Sequence, residues 1–293
     1  MNTDSYYETG SSHIICEDYA LAGQINEHIS YAIVCDGCSS SPNTDVGARI
    51  VALAAVEFLT GYYYDKDSIE EEGGSLRFQP FLLRLKDAVV FSLQLIKDVL
   101  SLEDTCFDST LLIALSDGKN SHVYMYGDGA YIAEMKNGDL SFVNVNFESN
   151  APYYVSYFMD EKRHQDYKHS FGENKIVKKL TTMKSGGDVE ESSEDAKFYY
   201  EFLQLDNHHS LYTWCSSVLS CPKRISVVSD GITSYTKSGE KVDPFEMAKK
   251  YFAYKNLKGE FVKRRMKRVK KDCEKEDLAH YDDISVATIN IEK

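Results

Sequence analysis

The sequence is short of positive charge. Its 33 Lys and Arg residues face 46 Asp and Glu residues, which gives a formal net charge of -13. Proteins that bind nucleic acid through its phosphates neutralise them with surplus Lys and Arg, so this balance argues against a nucleic-acid partner. An acidic surplus suits the capture of cations, although solubility alone also explains it.

Long apolar runs and a secretory signal are also lacking. No stretch approaches the ~20 apolar residues that span a bilayer, and the best candidate, residues 50–59, is broken by Glu57. The polar, acidic N-terminus lacks the basic start and apolar core of a signal peptide. The 7 cysteines are odd in number and widely spaced, unlike a disulfide framework. We therefore expect mostly reduced cysteines, a cytoplasmic location and no membrane partner.

Motifs of nucleotide-binding and serine-based enzymes are absent as well. The sequence has no Gly-x-x-x-x-Gly-Lys-Ser/Thr loop, and no Gly-x-Gly-x-x-Gly opens a predicted helix. It also lacks the Gly-x-Ser-x-Gly elbow of serine hydrolases. A nucleotide-binding role and a serine nucleophile therefore have little support.

The chain does contain enough apolar residues for one sizeable buried interior. Its 293 residues are 43% hydrophobic, an ordinary value for a soluble globular protein. We predict a single domain over residues 1–293, with a variable insertion at about 172–222. Within the insertion, residues 184–195 read as an exposed excursion and residues 198–205 return to β-type composition. The acidic, Gly-containing segment 65–75 is predicted to be a surface loop.

Apolar spacing predicts helices and strands that are segregated along the chain. Helices are predicted at 44–59, 80–100, 244–252 and 259–273. Strands are predicted at 31–35, 109–115, 121–126, 130–135, 141–145, 225–229 and 284–291. The three segments between residues 109 and 135 read as an antiparallel meander, to which 141–145 adds a strand. Segregation of this kind favours an α+β fold with sheets flanked by helices over a doubly wound parallel fold.

Acidic pairs recur beside the β-type segments. Asp36-Gly37 and Asp230-Gly231 end two apolar runs, and Asp282-Asp283 precedes a third. A single Asp-Gly pair is weak evidence, because it is also a common hairpin turn. Together with Glu17-Asp18, however, the pairs could meet at one edge of a sandwich, where clustered carboxylates require a cation and suit hard divalent ions. The sequence therefore predicts a metal centre.

The ordered set of motifs resembles the metal-dependent protein phosphatase family, type 2C. The resemblance covers most of the chain outside residues 172–222. The segments that carry it are Glu17-Asp18, the strand ending at Asp36-Gly37, Asp108-Ser109-Thr110, the hairpin Gly127-Asp128-Gly129, Ser229-Asp230-Gly231 and Asp282-Asp283. The last motif has Asp where the family commonly has Asn.

The resemblance implies a four-layer αββα sandwich, with two antiparallel sheets between helix pairs and two Mg or Mn ions at one edge. Asp36 would bridge both ions, Asp230 and Asp282 would bind one, and Glu17 and the Gly37 carbonyl would bind the other. Asp18 would hold metal-bound water, and Asp283 would be a supporting residue or an alternative ligand. The implied reaction is in-line attack of metal-activated water on phosphoserine or phosphothreonine of a protein substrate, opposed by a cognate kinase.

The sequence departs from the family pattern at three places. Cys38 follows the first Asp-Gly pair, where many members have a His proposed to protonate the leaving group. His13 stands four residues before Glu17, where an Arg often contacts the substrate phosphate. His13 could contact phosphate, serve as an acid or simply be a solvated loop residue. We find no clear counterpart of a third-metal Asp at residues 147–152.

Two other interpretations of these motifs are available. Cys35 and Cys38 fit a Cys-x-x-Cys redox or zinc motif, but a second such motif is missing and a buried thiol at the end of a strand is ordinary. The chain could also be a catalytically silent phosphatase-fold protein that binds or regulates a partner. Retention of Asp36, Asp230 and Asp282 argues against that alternative, because a pure binding module has little reason to gather repelling carboxylates.

Overall fold

The computed structural model describes residues 1–64, 78–171, 176–195, 215–220 and 222–292. The helices are α1 (Thr44–Tyr64), α2 (Phe78–Leu100), α3 (Glu161–Phe171), α4 (Pro244–Phe252) and α5 (Phe261–Glu276). The first eight strands are β1 (Asn2–Glu8), β2 (Tyr19–Gln24), β3 (Ser30–Cys35), β4 (Leu111–Ser116), β5 (Asn120–Tyr126), β6 (Gly129–Met135), β7 (Leu140–Phe147) and β8 (Ile176–Met183). The others are β9 (Val189–Asp195), β10 (Cys215–Ser220), β11 (Pro222–Val228), β12 (Tyr235–Lys237), β13 (Glu240–Lys241), β14 (Leu278–His280) and β15 (Ile284–Asn290).

Two antiparallel sheets form the centre of the fold. The larger has the strand order β1-β15-β11-β6-β7-β8-β9, and the smaller has the order β10-β5-β4-β3-β2. Between them lies an apolar layer in which Val34 and Leu112 of one sheet meet Ile225 and Ala287 of the other. A third sheet of three short strands, in the order β13-β12-β14, was not expected from the sequence.

Helices cover both outer faces of the sheet pair. On the smaller sheet, α1 and α2 bury Leu59 and Leu85 against Ile33 and Tyr124. On the larger sheet, α4 and α5 form a separate apolar layer against β6, β11 and β15. The predicted αββα order of layers is therefore confirmed.

Helix α1 is long and apolar enough to span a membrane by length and composition. Its residues 44–63 have a mean hydropathy of 1.3, and 44% of the 18-residue window is buried inside the protein. The buried face includes Ala48, Val51, Ala55 and Leu59, which pack in the core against the smaller sheet. The apolar character of α1 is thus explained by its place in the core.

The region predicted as an insertion supplies strands to both sheets. Strands β8 and β9 extend the larger sheet beyond β7, and β10 pairs with β5 at the edge of the smaller one. Residues 184–195, predicted as an exposed excursion, therefore include a paired strand, Val189–Asp195. The acidic sequence of this strand lacks the alternation of apolar and polar residues that predicts a strand. An edge strand exposed to water does not need that alternation. The predicted loop at 65–75 and the β-type segment at 198–205 lie outside the described residues.

Candidate metal centre

Asp36 is fixed by backbone contacts at the end of β3. Its N–H donates to the Thr110 hydroxyl at 2.9 Å, and its carbonyl accepts from the Thr110 N–H at 2.9 Å. The next residue, Gly37, forms an isolated antiparallel bridge with Ser109. The segment Asp108-Ser109-Thr110 before β4 therefore fixes the backbone that carries the Asp36 carboxyl group.

The glycines of the two Asp-Gly pairs are required by close backbone approach. A Cβ on Gly231 would lie 1.8 Å from the Asp283 carbonyl oxygen, and a Cβ on Gly37 would lie 2.9 Å from the Glu17 carbonyl oxygen. Neither pair forms the turn of a β-hairpin. Asp230 begins a 3-10 helix that ends at Thr233, and Gly37 forms its bridge with the distant Ser109. The Asp-Gly pair is often the sign of a hairpin, but at this site its glycine is needed because two chain segments pack closely together.

The carboxyl groups of Asp36 and Asp230 lie within hydrogen-bonding reach of one another. Loss of hydration, the charges of Asp18 and Asp230 and this shared hydrogen bond raise the pKa of Asp36 well above its usual value. Asp282 is close enough to interact with Asp230, and burial followed by that repulsion raises the pKa of Asp282. The three aspartates expected to bind metal therefore form one electrostatically linked group.

Asp18 is deeply buried, with 2% of its surface exposed. Neither of its carboxylate oxygens has a hydrogen-bond partner among the described residues. The Ser229 and Ser285 hydroxyls lie close enough to favour the carboxylate, but neither forms a hydrogen bond of ordinary geometry with it. Desolvation outweighs the serines and, with repulsion from Asp283 and Asp230, raises the pKa of Asp18 to about 7.

Asp128 is a member of the group that sequence reasoning did not assign. It lies in the tight turn between β5 and β6, where Gly127 has a φ of 87°. Burial raises the pKa of Asp128 to about 7, with further contributions from Asp230 and Asp282. The sequence predicts a hairpin at Gly127-Asp128-Gly129, but β5 and β6 lie in different sheets and the turn carries the chain from one sheet to the other. The acid of this motif was the available signal, and no role was assigned to it from the sequence.

His13, Glu17 and Asp283 form a trio of metal-capable side chains. One ligand atom from each lies within 4.8 Å of the others. His13 Nδ1 is 3.0 Å from Asp283 Oδ2 and 4.0 Å from Glu17 Oε2, while its Nε2 is 3.7 Å from Asp282 Oδ1. Partial burial disfavours the charged imidazolium and so lowers the pKa of His13. The hydrogen bond and charge of Asp283, with the charges of Asp282 and Glu17, outweigh this effect and raise the pKa.

Asp283 holds the N-terminal loop against β15. It is 2% exposed, and its two oxygens accept from the Gly10 N–H at 2.8 Å and the Glu17 N–H at 2.6 Å. Glu17 itself accepts a 3.4 Å hydrogen bond from the Thr44 hydroxyl at the start of α1. These contacts favour a supporting role for Asp283, and direct metal binding by it stays a prediction.

Cys38, which stands in the place of the expected His, faces a tyrosine. Its thiol lies 3.1 Å from the Ser40 hydroxyl and within hydrogen-bonding reach of the Tyr154 hydroxyl. Burial, Cys38 and the charge of Asp128 together raise the pKa of Tyr154. Cys35 is fully buried, and burial raises the pKa of its thiol well above the usual value. The five cysteines whose state is described are free, so the Cys-x-x-Cys motif forms no disulfide.

The residues present fit divalent cations. Five aspartates converge with mutual repulsion, the Asp36 and Asp230 carboxyl groups approach each other, and the buried oxygens of Asp18 form no hydrogen bond of ordinary geometry among the described residues. A hard divalent ion bound by oxygen ligands would neutralise this charge and supply the missing partner. The aspartates concerned are Asp18, Asp36, Asp128, Asp230 and Asp282.

Comparisons with known proteins identify one family. A model of the protein phosphatase 2C family matches residues 9–279 of the chain. No curated protein matches the chain.

Among solved structures, serine/threonine phosphatase Stp1 from Staphylococcus aureus is similar, with a TM-score of 0.53 and 13% identity over 100% of this chain and 96% of that one. A bacterial serine phosphatase has a TM-score of 0.53 and 12% identity over 100% of this chain and 98% of the other. At these identities the likeness shows the fold.

Proposed function

Because the chain belongs to the protein phosphatase 2C family, we propose that it is a protein phosphatase that removes phosphate from serine and threonine with two divalent ions, Mg or Mn. The observation that carries the proposal is the contact between the Asp36 and Asp230 carboxyl groups, beside the unpartnered buried oxygens of Asp18. Such an arrangement is costly in an ion-free protein and becomes favourable once cations bind.

The proposed ligands divide into two sets that share Asp36. Asp230 and Asp282 would hold one ion with Asp36, and Glu17 and the Gly37 carbonyl would hold the other. Asp128 interacts with Asp230 and Asp282, which supports a role for it on the side of the first ion. When bound, the ions would lower the pKa of water and neutralise charge on the phosphoryl oxygens.

Two side chains would act on the reacting groups. The buried Asp18 would orient the attacking water through its carboxylate, since neither oxygen has another donor among the described residues. His13 reaches the acidic group through its Nε2 atom, 3.7 Å from Asp282 Oδ1. It would contact the substrate phosphate or donate a proton to the leaving oxygen from that nitrogen.

The partners that follow from the proposal are a phosphorylated protein and an opposing kinase. The net charge of -13 supports a substrate other than nucleic acid. A cytoplasmic location and a single domain over residues 1–293 stay part of the proposal.

Hydrolysis of p-nitrophenyl phosphate with added manganese tests the function. The wild-type chain is expected to be active only with a divalent ion, and Asp36→Asn and Asp230→Asn are expected to reduce activity to background. Asp166→Asn on the exposed face of α3 is the matched control and should retain full activity. Activity without divalent ions, or unaffected by both substitutions at the centre, would contradict the mechanism.

The silent alternative makes a different prediction in the same assay. A binding protein of this fold would take up manganese, or a phosphopeptide, without releasing phosphate. The absence of turnover on both p-nitrophenyl phosphate and phosphopeptides would favour that alternative and reject the proposed enzyme.

A further inference from the structure

Two large apolar side chains are exposed beside the metal centre. Ile14 is 100% exposed and Ile15 is 60% exposed. They occupy the short segment between His13 and Glu17, whose side chains belong to the acidic site. A fully exposed isoleucine gains nothing from the folding of its own chain, so its apolar surface is available to whatever enters the site.

Backbone hydrogen bonds hold the segment in place on both sides of the isoleucines. The Ser11 N–H donates to the His280 carbonyl at 3.1 Å, and the Ser12 N–H donates to the Tyr281 carbonyl at 2.9 Å. Beyond the isoleucines, the Glu17 N–H donates to Asp283 at 2.6 Å. The exposed side chains are therefore displayed by an anchored loop.

A third exposed apolar side chain belongs to the chain segment that accepts these hydrogen bonds. Tyr281 is 48% exposed, and its carbonyl holds the loop that bears Ile14. Tyr281 directly precedes Asp282, so aromatic and aliphatic surface flanks the acidic group on two chain segments. We call Ile14, Ile15 and Tyr281 the apolar rim.

The size and position of the apolar rim indicate what kind of molecule binds to it. Three side chains are far fewer than the roughly 20 residues that each partner contributes to a stable protein interface, so the rim alone does not hold a second protein or a second copy. Its two isoleucines lie between His13 and Glu17 in the chain, so the residues on either side of the phosphate of a bound phosphoprotein are placed to reach them. The part of a phosphoprotein that does so is the residue next to the phosphorylated one.

We propose that the apolar rim is a substrate subsite that selects an aliphatic or aromatic side chain adjacent to the phosphoserine or phosphothreonine. The proposal rests on the proposed phosphatase function and adds a substrate preference to it. An apolar side chain placed against the rim removes surface of both partners from water, whereas a polar or charged one loses hydration without a partner.

The test compares two phosphoserine peptides that differ only at the neighbouring residues, leucine in one and serine in the other. We expect the wild-type kcat/KM to favour the leucine peptide by about tenfold, a typical discrimination for an apolar contact. In the double variant Ile14→Ser, Ile15→Ser, that ratio should fall close to one. The change should appear in KM with kcat retained, because the rim contacts bound substrate without touching the reacting atoms.

Two further variants separate the rim from general effects. Ile14→Leu keeps an apolar side chain and should keep the preference. Val99→Ser removes another exposed apolar side chain, 81% exposed on α2. It should leave the ratio of kcat/KM between the two peptides unchanged.

The outcomes distinguish this inference from the function on which it depends. Equal turnover of both peptides by the active wild-type enzyme would overturn the apolar rim and leave the phosphatase intact. A preference that survives in the double variant would also overturn it, as would a change in oligomeric state of that variant on gel filtration. No manganese-dependent turnover of any phosphorylated substrate would overturn the function and the rim together.

Discussion

The ion pair between Arg163 and Asp108 gives the sharpest stability prediction. Asp108 is 4% exposed, and Arg163 on α3 contacts both of its oxygens through Nη2, at 2.7 and 2.8 Å. Ser156 donates to one oxygen at 2.6 Å and Ser41 to the other at 2.8 Å. The Asp108 carbonyl also accepts from the Cys38 N–H at 2.8 Å. One carboxylate thus connects α3 to the loop that follows Asp36.

Arg163→Met removes the charge and keeps much of the length of the side chain. Breaking a buried ion pair from one side costs about 3–5 kcal/mol, because the other charge is left without compensation. The two serines remain in the variant, and the Arg163 side chain is 19% exposed, which places the expected loss at the low end. We expect the free energy of unfolding to fall by about 3 kcal/mol, and the Tm to fall by about 6 °C or more.

Urea denaturation followed by circular dichroism, in EDTA and again with manganese, measures this loss. Arg268→Met is the matched control, since Arg268 pairs with Asp272 at 3.1 Å on the surface of α5 with 62% of its side chain exposed. An exposed pair of this spacing contributes little, so this variant should unfold almost like the wild type. Arg163→Lys should lose less than Arg163→Met, because it keeps a positive charge near Asp108, although its ammonium group does not reproduce the position of Nη2 between the two oxygens.

Adding Asp108→Asn to Arg163→Met should recover part of the stability, because the buried charge is then gone. The recovery would appear as a coupling energy in the double-mutant cycle. A loss below about 1 kcal/mol for Arg163→Met, or one equal to that of Arg268→Met, would refute the reasoning from burial.

Two further predictions concern the acidic group and its backbone. In the native ion-free chain, burial and neighbouring charges raise the pKa of Asp18 and of Asp128 to about 7, whereas the carboxyl groups of the unfolded chain have their ordinary pKa of 3.8. The native state therefore binds more protons than the unfolded state between about pH 4 and pH 7, so the free energy of unfolding in EDTA should fall as the pH rises from about 4 to 7. Manganese should oppose this fall. A free energy of unfolding that rises with pH in EDTA would contradict the assigned pKa shifts. Gly231→Ala should destabilise the chain, because its Cβ would lie 1.8 Å from the Asp283 carbonyl oxygen, whereas nothing lies within 4 Å of a Cβ on Gly61 in α1. Gly61→Ala should therefore stabilise by roughly 0.5–1 kcal/mol, and equal thermal shifts in the two variants would count against the crowding argument.

Much of the fold was predictable from the chain because its long elements are strongly patterned. The helix predicted at 244–252 matches Pro244–Phe252, where Asp243 caps the N-terminus through the Phe245 N–H. Helix α3 was missed because its eleven residues are mostly polar and bury only His164 and Tyr167. Strand β9 was missed because its acidic sequence lies at the sheet edge. Local pattern thus fails where an element has little surface to bury.

The acidic group was predictable only in part. Asp36 and Asp230 follow apolar strands, and this placement marks them in the sequence. Asp128 lies in a turn whose sequence equally suits an ordinary hairpin, and only the approach of β6 to β11 brings it beside Asp230. The link from Arg163 to Asp108 joins residues 55 positions apart, and spacing along the chain gives no sign of it.

Anomalous scattering from a manganese-soaked crystal tests most directly whether the aspartates form a metal centre. We expect two manganese peaks bridged by Asp36, with Asp230 and Asp282 on one and Glu17 on the other. Absence of manganese from the Asp36 and Asp230 carboxyl groups, or a single peak confined to His13, Glu17 and Asp283, would contradict the account.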